Sequence, residues 1–433
     1  MAGHDYGERN KALITYLVLF VFFGALYFVW GIALGKAGAY THLSALLKAD
    51  HGRVIRDLTE VNVDHSRTDV HPLFVLILNP LGVVLARALG SRLIAAVLMS
   101  STAGALCVVM ARAFLGRAGL SGFHATAFAA ILGFSATHIF FASTPETWIF
   151  AAAGVILLYL LAVWAPGSTS RFLPAGVFAL GMATPSLVPA AIAFAAGIYK
   201  RVSFKFLLAK TALFGVLVTA CAAVLSLGQK LLYPSSTIFF LPGVYRAELG
   251  SYSPIIKYFN DLSLGYVLAR LGKLAGVLFL YNFIAPVTVT TWYSAGEYCL
   301  PRKPFVELDI PRLTPLGTVA AAFWVGLIIL GGYSFVKNRE SRQPILFALL
   351  LTFAFYFVFY SFYGTALYIY AISSTFPLLA SLALALRRYG RPGAKGFYAL
   401  GGFLVCFLIL EAGSNIYFLS RILAAFRDYP FPM

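Results

Sequence analysis

The segment ADHGRVIRDLTEVNVDHSRTDVHPLFVLILNPLG, residues 49–82, holds five of the chain's sixteen carboxylates and follows its first long apolar run. Asp50, Asp57, Glu60, Asp64 and Asp69 alternate there with Arg53, Arg56, Arg67, His65 and His71. From Lys48 to Glu60 opposite charges recur at helical spacing, Asp50 with Arg53, Arg53 with Asp57 and Arg56 with Glu60, which predicts an amphipathic surface helix with Val54, Ile55 and Leu58 on its apolar face. Exposed ion pairs of this kind are worth under ~1 kcal/mol each and by themselves call for no function. The second half is more specific. In Asp69-Val70-His71-Pro72 the residue before proline is pushed into the extended region, which sets a carboxylate and an imidazole on one side. Pro72 then starts an apolar helix at a position where its missing N–H costs nothing.

Outward from this segment, 60% of the 433 residues are hydrophobic and 11% charged, with a mean hydropathy of +0.84. Too little polar side chain remains to solubilise a globular chain of that length, so an all-α polytopic membrane protein is expected. The net charge of +17 would suggest nucleic acid in a soluble protein. Here the Lys and Arg residues cluster in short stretches between apolar runs, which is the positive-inside pattern and also suits anionic lipid headgroups. No nucleic-acid partner is expected, and membrane lipids are. Cys107, Cys221, Cys299 and Cys406 are scattered without metal-ligand spacing and read as apolar fillers. The polar start MAGHDYGERNK precedes an apolar stretch longer than a signal-peptide core, so that stretch is expected to stay as the first membrane helix, entering from the cytoplasm.

Crossing a ~30 Å hydrocarbon core takes roughly 20 apolar residues. Candidate spans lie at about 12–34, 93–112, 122–141, 146–165, 206–228, 314–335, 344–362, 366–386 and 396–418. The run 172–198 is broken at Thr184-Pro185-Ser186, giving either one kinked helix or two short ones. The run 271–290 either spans or lies in the interface, so the total is about eleven helices, within a range of about ten to thirteen. Arg112 and Arg117, the group from Lys200 to Lys210, Lys337 with Arg339 and Arg342, and the group from Arg387 to Lys395 all mark cytoplasmic loops. The opposite side then receives the first loop, 35–91, the turn FASTPETW, a long region at 229–313 and the YGT turn at Tyr363. That assignment requires the apolar stretch after His71, interrupted by Asn79-Pro80-Leu81-Gly82, to lie on or dip into the membrane rather than cross it. No linker divides the chain, so residues 1–433 read as one integral membrane domain.

The motif Asp69-Val70-His71-Pro72-Leu73-Phe74, with Asp50 about twenty positions before it, resembles the protein O-mannosyltransferases and their relatives, including the aminoarabinose transferase-like enzymes, of the GT-C glycosyltransferase class. Those proteins carry an acidic motif early in the first extracytoplasmic loop and then a D-x-H-P-P-L motif; here Leu73 replaces the second proline and His51 follows Asp50 where an acidic pair is usual. The resemblance covers about 35 residues and implies a GT-C-like helical bundle with juxtamembrane helices in the first loop. It further implies transfer of a sugar from a polyprenyl-phosphate donor to a glycan, lipid or protein acceptor, on the exterior or periplasmic face of a bacterial inner membrane. A second correspondence is SATHIFFASTPETW, where Glu146 occupies the polar turn that many such proteins place beside the first loop. Thr144 as cap, Pro145 and Glu146 also suit a helix start on electrostatic grounds alone.

Because a polyprenyl phosphate is a fair leaving group, such chemistry needs a carboxylate base for the acceptor hydroxyl and cations for the departing phosphate. Asp50 is the first candidate for the base and Asp69 the rival. Arg53, Arg67, His71, His138, Glu146, Lys257, Arg270 and Tyr363 are expected to bind substrate, although His138 also fits a satisfied core histidine, Tyr363 an interfacial aromatic belt, and the basic residues of 229–313 a simple lipid anchor. The carboxylates and histidines leave room for a divalent metal, but their spacing selects none and no cofactor is assigned. Glu411 is a costly intramembrane carboxylate with Asn415 as its expected partner. Two other classes compete with a transferase, namely a transporter or flippase of lipid-linked sugars and a non-catalytic envelope-assembly protein. The absence of an internal repeat between the two halves weighs against the transporter.

Overall fold

The computed structural model describes residues 2–40, 45–239, 264–293, 303–338, 343–364 and 366–428. The chain is an all-α polytopic membrane protein. Among the described residues nine helices are long and apolar enough to cross a membrane, and one bent pair makes a tenth if taken as a single broken span. In chain order the helices are α1 (Ala2–Lys36), α2 (His51–Thr59), α3 (Phe74–Leu89), α4 (Arg92–Arg117), α5 (Gly122–Phe134), α6 (Ala136–Ser143), α7 (Thr147–Trp164), α8 (Thr169–Met182), α9 (Leu187–Ile198), α10 (Phe204–Leu232) and α11 (Leu264–Gly276). A wider π-helical turn, Val277–Tyr281, prolongs α11. The strands β1 (Val287–Tyr293) and β2 (Lys303–Asp309) come next, followed by α12 (Pro315–Lys337), α13 (Pro344–Phe362), α14 (Leu367–Ala385) and α15 (Phe397–Arg427).

α14 is buried along almost its whole length, and α4, α7 and α14 form the centre of the bundle; α1, α10, α12 and α15 turn apolar faces outward. The basic turns gather at one end, where Arg387 donates to the Ala118 carbonyl at 3.1 Å and Arg388 to Asn338 Oδ1 at 2.7 Å. At the other end Tyr40, just after α1, shares its hydroxyl between the carbonyls of Gly31 and Ser143. This end receives the first polar loop, the α6–α7 turn and the α13–α14 turn.

Three apolar runs are broken, and each break is satisfied by backbone or amide groups from elsewhere, as a dry interior demands. α5 and α6 meet at 63° at Ser135. The amides of Ala136 and Thr137 donate to the carbonyls of Phe283 and Asn282. Asn415 completes this knot, its Nδ2 donating to the carbonyls of Phe134 and Phe283 and its Oδ1 accepting from the Ala285 amide. Asn415 is thus occupied by main chain and is not the partner expected for Glu411, whose carboxylate is fully buried and finds no hydrogen bond among the described residues.

The run 172–198 is two half-helices. At roughly 21 and 18 Å, α8 and α9 are each too short to cross. They meet at Thr184–Ser186 against the first loop: Gly181 accepts from the Leu73 amide at 3.0 Å and Thr184 donates to Val70 at 3.2 Å. At the other end of this hairpin Arg201 returns beside Gly167. The run 271–290 likewise divides, with helix to Tyr281 and strand from Val287. β1 and β2 pair antiparallel with Val289 opposite Glu307 and Thr291 opposite Phe305. The ribbon continues onto the first loop, where Val306 donates to Ala45 and Leu47 donates to Val306.

α2 forms as the charge spacing predicts, with Val54 and Leu58 buried. Behind it α3 runs along the same end of the bundle: its start lies beside Met182, and its exit at Gly90 leads directly to Arg92, which pairs with Glu60 at 2.8 Å. Glu60 therefore pairs with Arg92, not with Arg56. Gly82 is required where the two helices cross, because a Cβ there would strike the Leu58 carbonyl oxygen. Gly82→Val should cost about 1–3 kcal/mol by overpacking and lower the thermal midpoint of the purified protein; an unchanged midpoint would show that α2 does not press on α3 at this point.

Candidate functional site

A cavity of about 530 Å³ opens where the first loop, the α6–α7 turn, the ribbon and the α13–α14 turn meet. Asp50, Arg53, Arg67, His71, Glu146 and Tyr363 all line it. Six residues scattered over most of the chain are thereby collected in one place.

Glu146 is at the centre of this geometry. It is the N-cap of α7, two residues later than the capping pattern predicts, and its Oε2 accepts from the Thr147 amide at 3.1 Å. Its Oε1 accepts from the Asp50 amide at 2.9 Å, so one carboxylate ties the start of α2 to the start of α7. Burial pushes its pKa up to about 7; Arg53 opposes the rise and Asp50 adds to it. Next to it, the Asp50 side chain is part-exposed, with Oδ2 at 3.6 Å from Arg53 Nε. Arg53 is held from behind by Asp57 at 2.6 Å, and Asp57 accepts from His65 Nδ1 at 2.8 Å. Removing one member of such a buried set strands the others, which is why the pairs position Arg53 more than they stabilise the fold.

His71 lies on the cavity floor. Burial and the nearby Arg53 lower its pKa to about 3, so near neutrality the ring is uncharged. Its Nδ1–H donates to the Met182 carbonyl at 2.6 Å, which leaves Nε2 to accept from the Thr147 hydroxyl at 3.2 Å. The turn before Pro72 is a 3-10 turn over Ser66–Asp69 with Val70 in helical backbone, not the extended stretch expected, and the helix begins at Phe74, not at Pro72; the broken α8 supplies the carbonyl that fixes the imidazole. His51 is likewise held neutral by burial, down to about 4, with Nδ1 donating to Pro145.

One wall is aromatic. Trp148 packs edge-on against Tyr370 at 5.1 Å, and Tyr370 against Tyr363 at 5.6 Å. The other wall is the ribbon, which contributes Thr291, Phe305 and Glu307. Glu307 pairs with Lys48 at 3.2 Å. Leu47 and Lys48 both adopt left-handed backbone, φ 53° and 63°, a conformation costing of order 1–3 kcal/mol at each non-glycine position and common at functional sites. The ribbon's hydrogen bonds hold them there, immediately before Asp50.

The remaining candidates lie elsewhere. Asp69 is buried beneath the loop, is absent from the cavity lining, and accepts from the Val70 amide at 2.7 Å. His138 is buried in α6 with Nε2 donating to Gly104. Arg270 donates to the carbonyls of Tyr360, Tyr363 and Gly364, capping the end of α13 in the way cations favour helix C-termini. Lys257 lies outside the described residues, as do Tyr245, Arg246 and Arg302. Sequence reasoning missed Lys48, Thr147, Trp148, Phe305 and Glu307; the β-branched run VTVTT was the signal for the ribbon that carries two of them. Among the described residues no three His, Cys, Asp or Glu side chains are grouped as metal ligands.

Chemically, the cavity offers a part-exposed carboxylate able to take a proton, three cations able to hold an anion, and flat aromatic faces for a ring to pack on. Fold and site together define a multi-pass membrane protein with a polar, aromatic-walled cavity at the end opposite its basic turns. No protein-family model matches the chain, and no curated protein matches it.

Titration of Glu146 can be measured directly. Its carboxyl should be protonated below about pH 7 and charged above it, so a protonated-carboxyl infrared band should fade as pH rises through that value and be missing in Glu146→Gln. Because the folded pKa is raised, the stability tied to this group is full below the ordinary carboxylate range and is lost as pH rises toward 7. A band that disappears near pH 4.5 would contradict the buried geometry.

Proposed function

We propose that the protein is a glycosyltransferase that moves a sugar from a polyprenyl-phosphate donor to a hydroxyl of a glycan, lipid or protein acceptor. The observation that supports this reading is the convergence of Asp50, His71 and Glu146 on one cavity. Its location at a membrane end suits a donor whose tail stays in the bilayer while its sugar enters a polar site. By the positive-inside rule, the cavity faces the exterior, or the periplasm if the membrane is a bacterial inner membrane.

In this scheme Asp50 accepts the proton of the acceptor hydroxyl as its oxygen attacks the anomeric carbon. The bond from that carbon to the phosphate oxygen breaks, and the phosphate leaves with the electron pair, its charge met by Arg53, Arg67 and Lys48. Attack opposite the leaving group inverts the anomeric centre. Neutral His71 orients Thr147 without adding charge, and Glu146 fixes the backbone of Asp50. Trp148, Tyr363 and Tyr370 offer faces for the sugar ring.

A second reading, a carrier of lipid-linked sugars, draws support from α8 and α9, since broken half-helices beneath a polar cavity are also a device of transporters. Purified protein with a panel of polyprenyl-phospho-sugars separates the two. Asp50→Asn should lower turnover about 10²–10⁴-fold, the usual worth of a positioned base, whereas Asp69→Asn should cost far less. Transfer at the wild-type rate by Asp50→Asn would remove Asp50 from the role, and movement of the lipid across the bilayer with no transfer would favour the carrier.

A further inference from the structure

A second cleft, of about 420 Å³, lies on the perimeter of the bundle between the ends of α1 and α15. Phe28, Val29, Ile32 and Ala33 of α1 make it apolar, and Lys36 and Arg427, from opposite ends of the chain, both line it. Both cations are exposed, and neither makes a side-chain hydrogen bond or ion pair with another described residue. Asp428 follows Arg427 but is not part of the lining, and no other carboxylate is.

Each cation occupies the last turn of its own helix, where the macrodipole favours positive charge. That explains each one separately. It does not explain why two like charges converge on one cleft, an arrangement that costs repulsion unless an anion lies between them. The apolar stripe of α1 below them faces the bilayer, with Val29 65% exposed. Cations at the water boundary above a greasy, membrane-facing groove are complementary to a phosphate carrying hydrocarbon chains. The cleft shares no lining residue with the polar cavity, which favours a resident bilayer lipid over a reactant.

We propose that this cleft binds an anionic glycerophospholipid of the surrounding membrane, its phosphate between Lys36 and Arg427 and one acyl chain along Phe28, Val29 and Ile32. The site is independent of the proposed catalysis.

Native mass spectrometry of the full-length protein with phosphatidylglycerol, phosphatidylcholine and a long-chain polyisoprenyl monophosphate tests it. Wild type should retain phosphatidylglycerol over phosphatidylcholine, and the double variant Lys36→Gln/Arg427→Gln should weaken that preference at least about tenfold. The swapped pair Lys36→Arg/Arg427→Lys should keep it. For wild type alone, added salt should release phosphatidylglycerol and leave phosphatidylcholine binding unchanged. Equal retention of the two phospholipids, a preference that survives in the Gln pair, or one indifferent to salt would overturn the proposal. Displacement of phosphatidylglycerol by an equal concentration of polyisoprenyl monophosphate would overturn its choice of lipid.

Discussion

The site depends on one buried carboxylate with two backbone donors. Glu146 accepts from Asp50 with one oxygen and from Thr147 with the other, so two segments far apart in sequence start their helices from the same side chain. Charge, burial and position are coupled through it. An ionised carboxylate taken out of water needs such donors, and the donors exist only because α2 and α7 begin together. Arg53 approaches from α2 and offsets part of the burial cost. Asp50, next in line, remains open to the cavity because Glu146 has taken up its backbone and not its side chain.

The broken helices are the price of this arrangement. A continuous 172–198 helix would offer no free carbonyl to His71, whereas ending α8 at Met182 releases one at the required depth. Ser135 breaks α5 from α6 and frees amides that the end of α11 satisfies, with Asn415 closing the set. Backbone that leaves the helix inside a bilayer must pair with other protein, and each break here does so. The ribbon plays the matching part above the cavity, holding Leu47 and Lys48 in left-handed backbone and so fixing the approach to Asp50.

Much of this was legible in the sequence, for identifiable reasons. Membrane helices announce themselves by length and hydropathy, and α2 by charge spacing. Asp50, Arg53, Arg67, His71 and Glu146 stand out because polar residues beside apolar runs are few. Contacts set by tertiary packing were not legible. Asp69 and Asp50 look equivalent as carboxylates, and only the fold buries one and opens the other. Arg270 carries the same charge as Arg67, yet caps a helix. Asn415 beside Glu411 suggested a pair, while the amide had three backbone partners brought from two other segments. Glu307 gave no signal because the ribbon that delivers it pairs with residues more than two hundred positions earlier.

The most direct measurement is an electron cryomicroscopy map of the full-length protein in nanodiscs with a non-transferable polyprenyl-phosphonate sugar. The account predicts density for the sugar ring against Trp148 and Tyr370, the anomeric carbon facing Asp50 and the phosphonate beside Arg53 and Arg67. A ligand bound with its sugar outside this cavity, or with its phosphonate at the end of the basic turns, would contradict it.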